Sequence, residues 1–135
     1  MDRDGILAVI DRFWRARIAG DKAELLSFVA PDGVYEMVGA RSFAAPAVVG
    51  PAASFGSAAD QLVSDFKFHR VERLTAFVEG AKAAIVNRIE VSFRGAAPFT
   101  TEVCDLWEFD GAGKAKSLRQ FVDTALIRDV MQGRT

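Results

Sequence analysis

The chain is 135 residues long, half of them apolar, with 17 Lys and Arg against 18 Asp and Glu and a formal charge of −1. That length accommodates one domain, residues 1–135, with a sizeable core, and the balanced, scattered charge leaves no footprint for nucleic acid or an anionic membrane. One His and one Cys exclude an internal disulfide and the usual zinc sites. No apolar run approaches the roughly 18 residues of a membrane span, and the acidic start MDRDGILAVI is unlike a signal peptide. A cytoplasmic, metal-free protein is expected.

From Asp4 to Ile18, the residues Ile6, Ile10, Phe13, Trp14 and Arg17 recur at helical spacing, which predicts an amphipathic first helix. Ala19-Gly20 ends it, and Asp21 reads as the N-cap of a short second helix with Glu24 at its third position. Pro31-Asp32-Gly33 predicts a turn, and Val34 to Val38 a short strand whose only charge is Glu36. Gly39 to Gly56 is rich in Ala, Gly and Pro and predicts a loop with a short extended piece at Ala47 to Val49. A third helix is expected from near Pro51 to near Ser64. Four strands follow, over Phe66–Val78, Ala83–Phe93, Phe99–Phe109 and Ala115–Ala125, and Leu126–Met131 reads as a helical turn or a tail. Helices first and a meander of long antiparallel strands after them predict an α+β fold. The sheet curls over three helices and leaves a cone with an open mouth, a natural small-molecule pocket.

One residue breaks the pattern. Between Phe99 and Phe109 the odd positions are Phe99, Thr101, Val103, Asp105, Trp107 and Phe109, an almost wholly apolar face. Asp105 sits in its middle. A carboxylate removed from water either neutralises or finds a partner, so Asp105 is the first candidate for chemistry. It is equally open to a structural role, paired with an Arg such as Arg88 or Arg119.

Two segments resemble a known family. RFWRARIAGD (Arg12 to Asp21) followed by VYEMVG (Val34 to Gly39) is similar to the first helix, Ala-Gly-Asp turn and catalytic strand of ketosteroid isomerases. DLWEFDGAGKAKSLR (Asp105 to Arg119) is similar to their last hairpin. With the order of elements, the resemblance to the nuclear transport factor 2-like superfamily, which also includes SnoaL-type polyketide cyclases, covers essentially the whole chain. It implies the cystatin-like cone, with a curved antiparallel sheet wrapped around three N-terminal helices. It implies Glu36 as a catalytic base and Asp105 as a neutral acid that donates a hydrogen bond to a substrate oxyanion. It implies Asp123, in FVDTA, as an acid/base residue of the cyclase type. Phe13 stands where the isomerases place their oxyanion tyrosine. Phenyl has no hydroxyl to donate, and losing one such donor typically costs about a hundredfold or more in rate.

The remaining candidates weigh a site role against an ordinary one. His69 is the sole histidine, on a strand, where hydrogen-bonded spectators are common. Asn87, between Ile85 and Ile89, suits either a ligand carbonyl or an internal hydrogen-bond network. Phe13, Trp14, Phe55 and Trp107 are core residues that would also line a pocket, and Cys104 faces away from Asp105. Parity in the last strand groups Asp123 with Phe121 and Arg119 against Val122, Gln120 and Leu118, and leaves open which set faces the cone. The expected function is proton transfer next to a carbonyl of a small hydrophobic substrate, without a cofactor. The alternative is a non-catalytic binding or protein-interaction module on the same fold. A homodimer through the sheet is expected, with neither nucleic acid nor membrane as partner.

Overall fold

A computed structural model describes residues 1–44 and 54–134. Among these residues, four helices pack with one five-stranded sheet: α1 (Arg3–Ala19), α2 (Lys22–Ser27), β1 (Val29–Val38), α3 (Phe55–Asp65), β2 (Phe66–Glu79), β3 (Lys82–Phe93), β4 (Phe99–Phe109), β5 (Ala115–Phe121) and α4 (Thr124–Met131). The strand order is β1-β5-β4-β3-β2. No helix is long and apolar enough to cross a membrane among the described residues.

Each helix starts on a side-chain cap that satisfies an otherwise orphaned N–H. Asp2 accepts from the Gly5 N–H at 2.8 Å, Asp21 from Glu24 at 3.0 Å, Ser54 from Ser57 at 3.1 Å and Asp123 from Leu126 at 3.1 Å. Gly20 stops α1 at φ 70°, a left-handed conformation that glycine adopts without steric cost. The apolar stripe of α1, Ile6, Ile10, Phe13 and Trp14, is buried. Phe13 meets Trp107 of β4 edge-on at 4.9 Å, and Trp14 stacks on Phe68 of β2 at 5.5 Å.

Cross-strand register sorts the side chains into two faces. Residues paired across neighbouring strands share a face, so Met37, Gln120, Asp105, Ile85 and Ala76 form one row across the whole sheet. Its members on β3, β4 and β5 are buried toward the helices. One residue away along each strand, Glu36, Arg119, Leu106, Ala84 and Phe77 form a row on the opposite, outer face. There Leu106 is 37% exposed and Phe77 is 70% exposed.

The structure departs from expectation at four places. β1 pairs with β5 in parallel, so the sheet is mixed rather than wholly antiparallel. This pairing joins segments about eighty residues apart, which no local pattern encodes. β1 also begins at Val29, and the expected Pro31-Asp32-Gly33 turn is an irregularity inside the strand, between Val29 and Val34. α3 spans Phe55 to Asp65, while the expected start near Pro51 and the extended piece at 47–49 lie outside the described residues. The last strand stops at Phe121 instead of running to Ala125, because Asp123 caps a fourth helix.

Candidate functional site

Between the helices and the inner face of the sheet lies a cavity with a free volume of about 70 Å3. α1 contributes Phe13, Trp14 and Arg17, and α3 contributes Phe55, Ala58, Ala59, Leu62 and Val63. The sheet adds Tyr35 and Met37 from β1, Phe66 and Phe68 from β2, and Leu118 and Gln120 from β5, with Val122 and Ile127 beyond. The wall is overwhelmingly apolar. Among the described residues, those lining it with charged or hydrogen-bonding side chains are Arg17, Tyr35, Gln120 and, through its indole, Trp14.

A chain of buried hydrogen bonds leads from that wall to Asp105. The Tyr35 hydroxyl donates to Gln120 Oε1 at 2.5 Å, and Gln120 Nε2 donates to Asp105 Oδ1 at 3.0 Å. Asn87 Nδ2 donates to Asp105 Oδ2 at 3.4 Å, a long contact. Asp105 has no solvent exposure. Burial pushes its carboxyl up to about 7, while the bonds from Gln120 and Asn87 pull the other way. Burial, and then the neighbouring Asp105, pushes the Tyr35 phenol up, so it stays a neutral donor near pH 7. Alternation thus placed Asp105 correctly on the inner face. It does not reach the cavity wall, however, because Gln120 and Tyr35 stand between, so it touches a ligand only through them.

Arg17 is the charged member of the wall. It is 7% exposed, and its Nη2 donates to the Leu62 carbonyl at 3.0 Å. Its guanidinium lies over the Phe68 ring at 4.3 Å. Burial lowers its pKa to about 10, with Tyr35 acting in the opposite sense. At neutral pH it is a cation inside an apolar hollow.

The expected site residues separate into two groups. Phe13, Trp14 and Phe55 line the cavity as expected. Asn87 belongs to the internal network beneath it. Glu36 is a correction: it lies on the outer face, where it accepts from Arg119 Nε at 3.0 Å. Its neighbours Tyr35 and Met37 take the inward positions, because successive strand residues point to opposite faces. Asp123 is a second correction, since its carboxylate caps α4 and Val122 is the residue that faces the cavity. His69 pairs with Ser92 Oγ at 2.8 Å, at an irregularity of the β2–β3 register, and is not part of the cavity wall. Trp107 packs behind Phe13 and stacks on Phe109 at 5.9 Å, so it supports the wall rather than forming it. Among the described residues no cluster of His, Cys, Asp and Glu is arranged to hold a metal ion.

Three polar wall residues were not among the site candidates expected from sequence. Arg17 continues the apolar stripe of α1, four residues after Phe13, and a charge in such a stripe is a usable signal. Gln120 sits in the inward parity set of β5 between Leu118 and Val122. Tyr35 carries no anomaly of its own; its role follows only from its pairing with β5.

No family model matches the sequence, and no curated protein matches it. Solved structures match it over nearly their whole length. A nuclear transport factor 2-like protein from Burkholderia thailandensis superposes with a TM-score of 0.70 at 19% identity, covering 94% of this chain and 97% of that one. The Δ5-3-ketosteroid isomerase from Mycobacterium sp. gives a TM-score of 0.70 at 19% identity, covering 90% and 95%. An LEH-like epoxide hydrolase from M. tuberculosis gives 0.69 at 19% identity, covering 96% and 92%. The chain therefore has the nuclear transport factor 2-like fold. That fold carries several unrelated activities, so function is argued from the cavity.

Proposed function

We propose that the protein is a small-molecule pocket protein, binding a compact, largely apolar compound with one oxygen-bearing group turned toward Tyr35, Gln120 and Arg17. The observation that carries this is the composition of the cavity: aromatic and aliphatic walls with a few convergent polar groups, the usual anatomy of a ligand site. Size constrains the ligand. A free volume of about 70 Å3 is roughly half of the ~150 Å3 cavity known to accept benzene. A fused-ring steroid is excluded without rearrangement, and a branched compound of a few carbons is favoured.

Proton transfer next to a carbonyl is the second reading, in line with the ketosteroid isomerase and the epoxide hydrolase among the similar structures. The bond chain from Tyr35 through Gln120 to Asp105 favours it, since a carboxyl that titrates near neutrality could pass its protonation state to the wall. Against it, no carboxylate or imidazole lines the wall among the described residues to act as the base, because Glu36 is outside. The cytoplasmic location and a homodimer through the outer sheet face, where Leu106 and Phe121 are exposed, belong to the same proposal.

Calorimetric titration with a small ketone such as 3-methylbutan-2-one, in the native protein and in Ala59→Phe, separates these readings. Binding in the native protein that the added ring abolishes supports the cavity as the site. Equal binding in both places the ligand elsewhere and overturns the proposal. Conversion of 4-penten-2-one to its conjugated isomer, followed by ultraviolet absorbance, would promote the enzyme reading.

A further inference from the structure

The cavity contains a buried cation without an anion. Arg17 lies in the wall at 7% exposure, yet no carboxylate is within ion-pair distance of it among the described residues. Residues 45–53, APAVVGPAA, include no acidic side chain. Asp105 does not serve as the counter-ion, since its hydrogen bonds go to Gln120 and Asn87. Of the five N–H donors of the guanidinium, one is committed to the Leu62 carbonyl. The Phe68 face offsets part of the charge. Trp14, another wall residue, has a buried Nε1 with no hydrogen-bond partner. Buried polar groups are ordinarily paired, and an unpaired buried charge is far costlier than an unpaired amide.

Building on the pocket reading, we propose that the ligand is a small apolar carboxylate whose head group is held by Arg17. A carboxylate supplies the missing negative charge and accepts the parallel N–H pairs that guanidinium presents in a planar fork. The apolar body of such a ligand occupies the space between Phe13, Phe55, Met37 and Leu118. Pairing a charge in a low-dielectric hollow gives discrimination against neutral analogues of the same shape, because the neutral analogue leaves the guanidinium as it was.

Isobutyrate and its neutral isostere isobutyramide, titrated calorimetrically at pH 7.4 into the native protein, Arg17→Met and Arg17→Lys, test this. Isobutyrate is expected to bind the native protein at least tenfold tighter than isobutyramide. Arg17→Met is expected to remove that preference, and Arg17→Lys to keep part of it. Arg17→Met is also expected to melt no lower than the native protein, since it removes an uncompensated buried charge rather than half of an ion pair. If isobutyramide binds as well as isobutyrate, the carboxylate assignment falls and the pocket stands. If neither binds any of the three proteins, the pocket falls with it. Selectivity retained in Arg17→Met would place the anion site elsewhere and overturn the role of Arg17.

Discussion

Replacing Asp105 with Asn should flatten the pH dependence of stability in a window that the native protein crosses steeply. Burial lifts the Asp105 carboxyl from an ordinary 3.8 to about 7. Between those values the folded protein holds a proton that the unfolded chain has released, so stability falls as pH rises. The contribution is fully present below 3.8 and lost by the time pH passes about 7. At about 1.4 kcal/mol for each pH unit, the loss amounts to roughly 4 kcal/mol. Other shifted groups act outside this window. Burial raises Asp65, but hydrogen bonds from Arg94 and Gln61 outweigh it and hold the carboxyl below its ordinary value, and burial raises the Cys104 thiol. Asn is uncharged throughout and nearly the same shape, and rotation of the Asn87 or Gln120 amide restores its partners. Urea unfolding followed by tryptophan fluorescence at pH 4, 6 and 8 measures the effect. Native stability should drop by about 4 kcal/mol across the series, while Asp105→Asn stays level and exceeds the native protein at pH 8. A native profile that is flat, or an Asn variant that keeps the slope, would refute the neutral-carboxyl argument.

Two further outcomes concern the outer face of the sheet. Glu36→Gln should cost less than about 1 kcal/mol and leave ligand affinity unchanged, because it breaks an ion pair with the half-exposed Arg119 rather than a cavity contact; calorimetric titration and urea unfolding check both halves. Leu106→Lys, at the centre of that face, should convert a dimer to a monomer in light scattering while preserving far-ultraviolet dichroism. A native protein that is already monomeric at tens of micromolar would remove the homodimer from the proposal.

The legibility of these features follows the regularity of the local pattern. β4 alternates without interruption, so Asp105 announces itself among Val103, Trp107 and Phe109. α1 has both a cap and a stop, and its buried face is the one its spacing predicts. β1 offers no such guidance. Val34 and Val38 flank Glu36 while Tyr35 and Met37 lie between, so both parities look apolar, and a one-residue difference in matching reverses the face. The resemblance to the isomerases put Glu36 inward, and the register with Arg119 puts it outward. At Asp123 the competing principle is capping: Leu126, Ile127, Val130 and Met131 recur at helical spacing after it, a signal that outweighs strand parity. Gln120 and Tyr35 become partners only through the long-range pairing of β1 with β5.

Cys104 and Asp105 are consecutive residues, yet the strand turns one side chain to the outside and the other into the core. The protein's single thiol thus sits on the far side of the sheet from the hollow, directly opposite Phe121. A dye or spin label attached there needs no engineered attachment point, and it reports on the back of the molecule without entering the chamber in front.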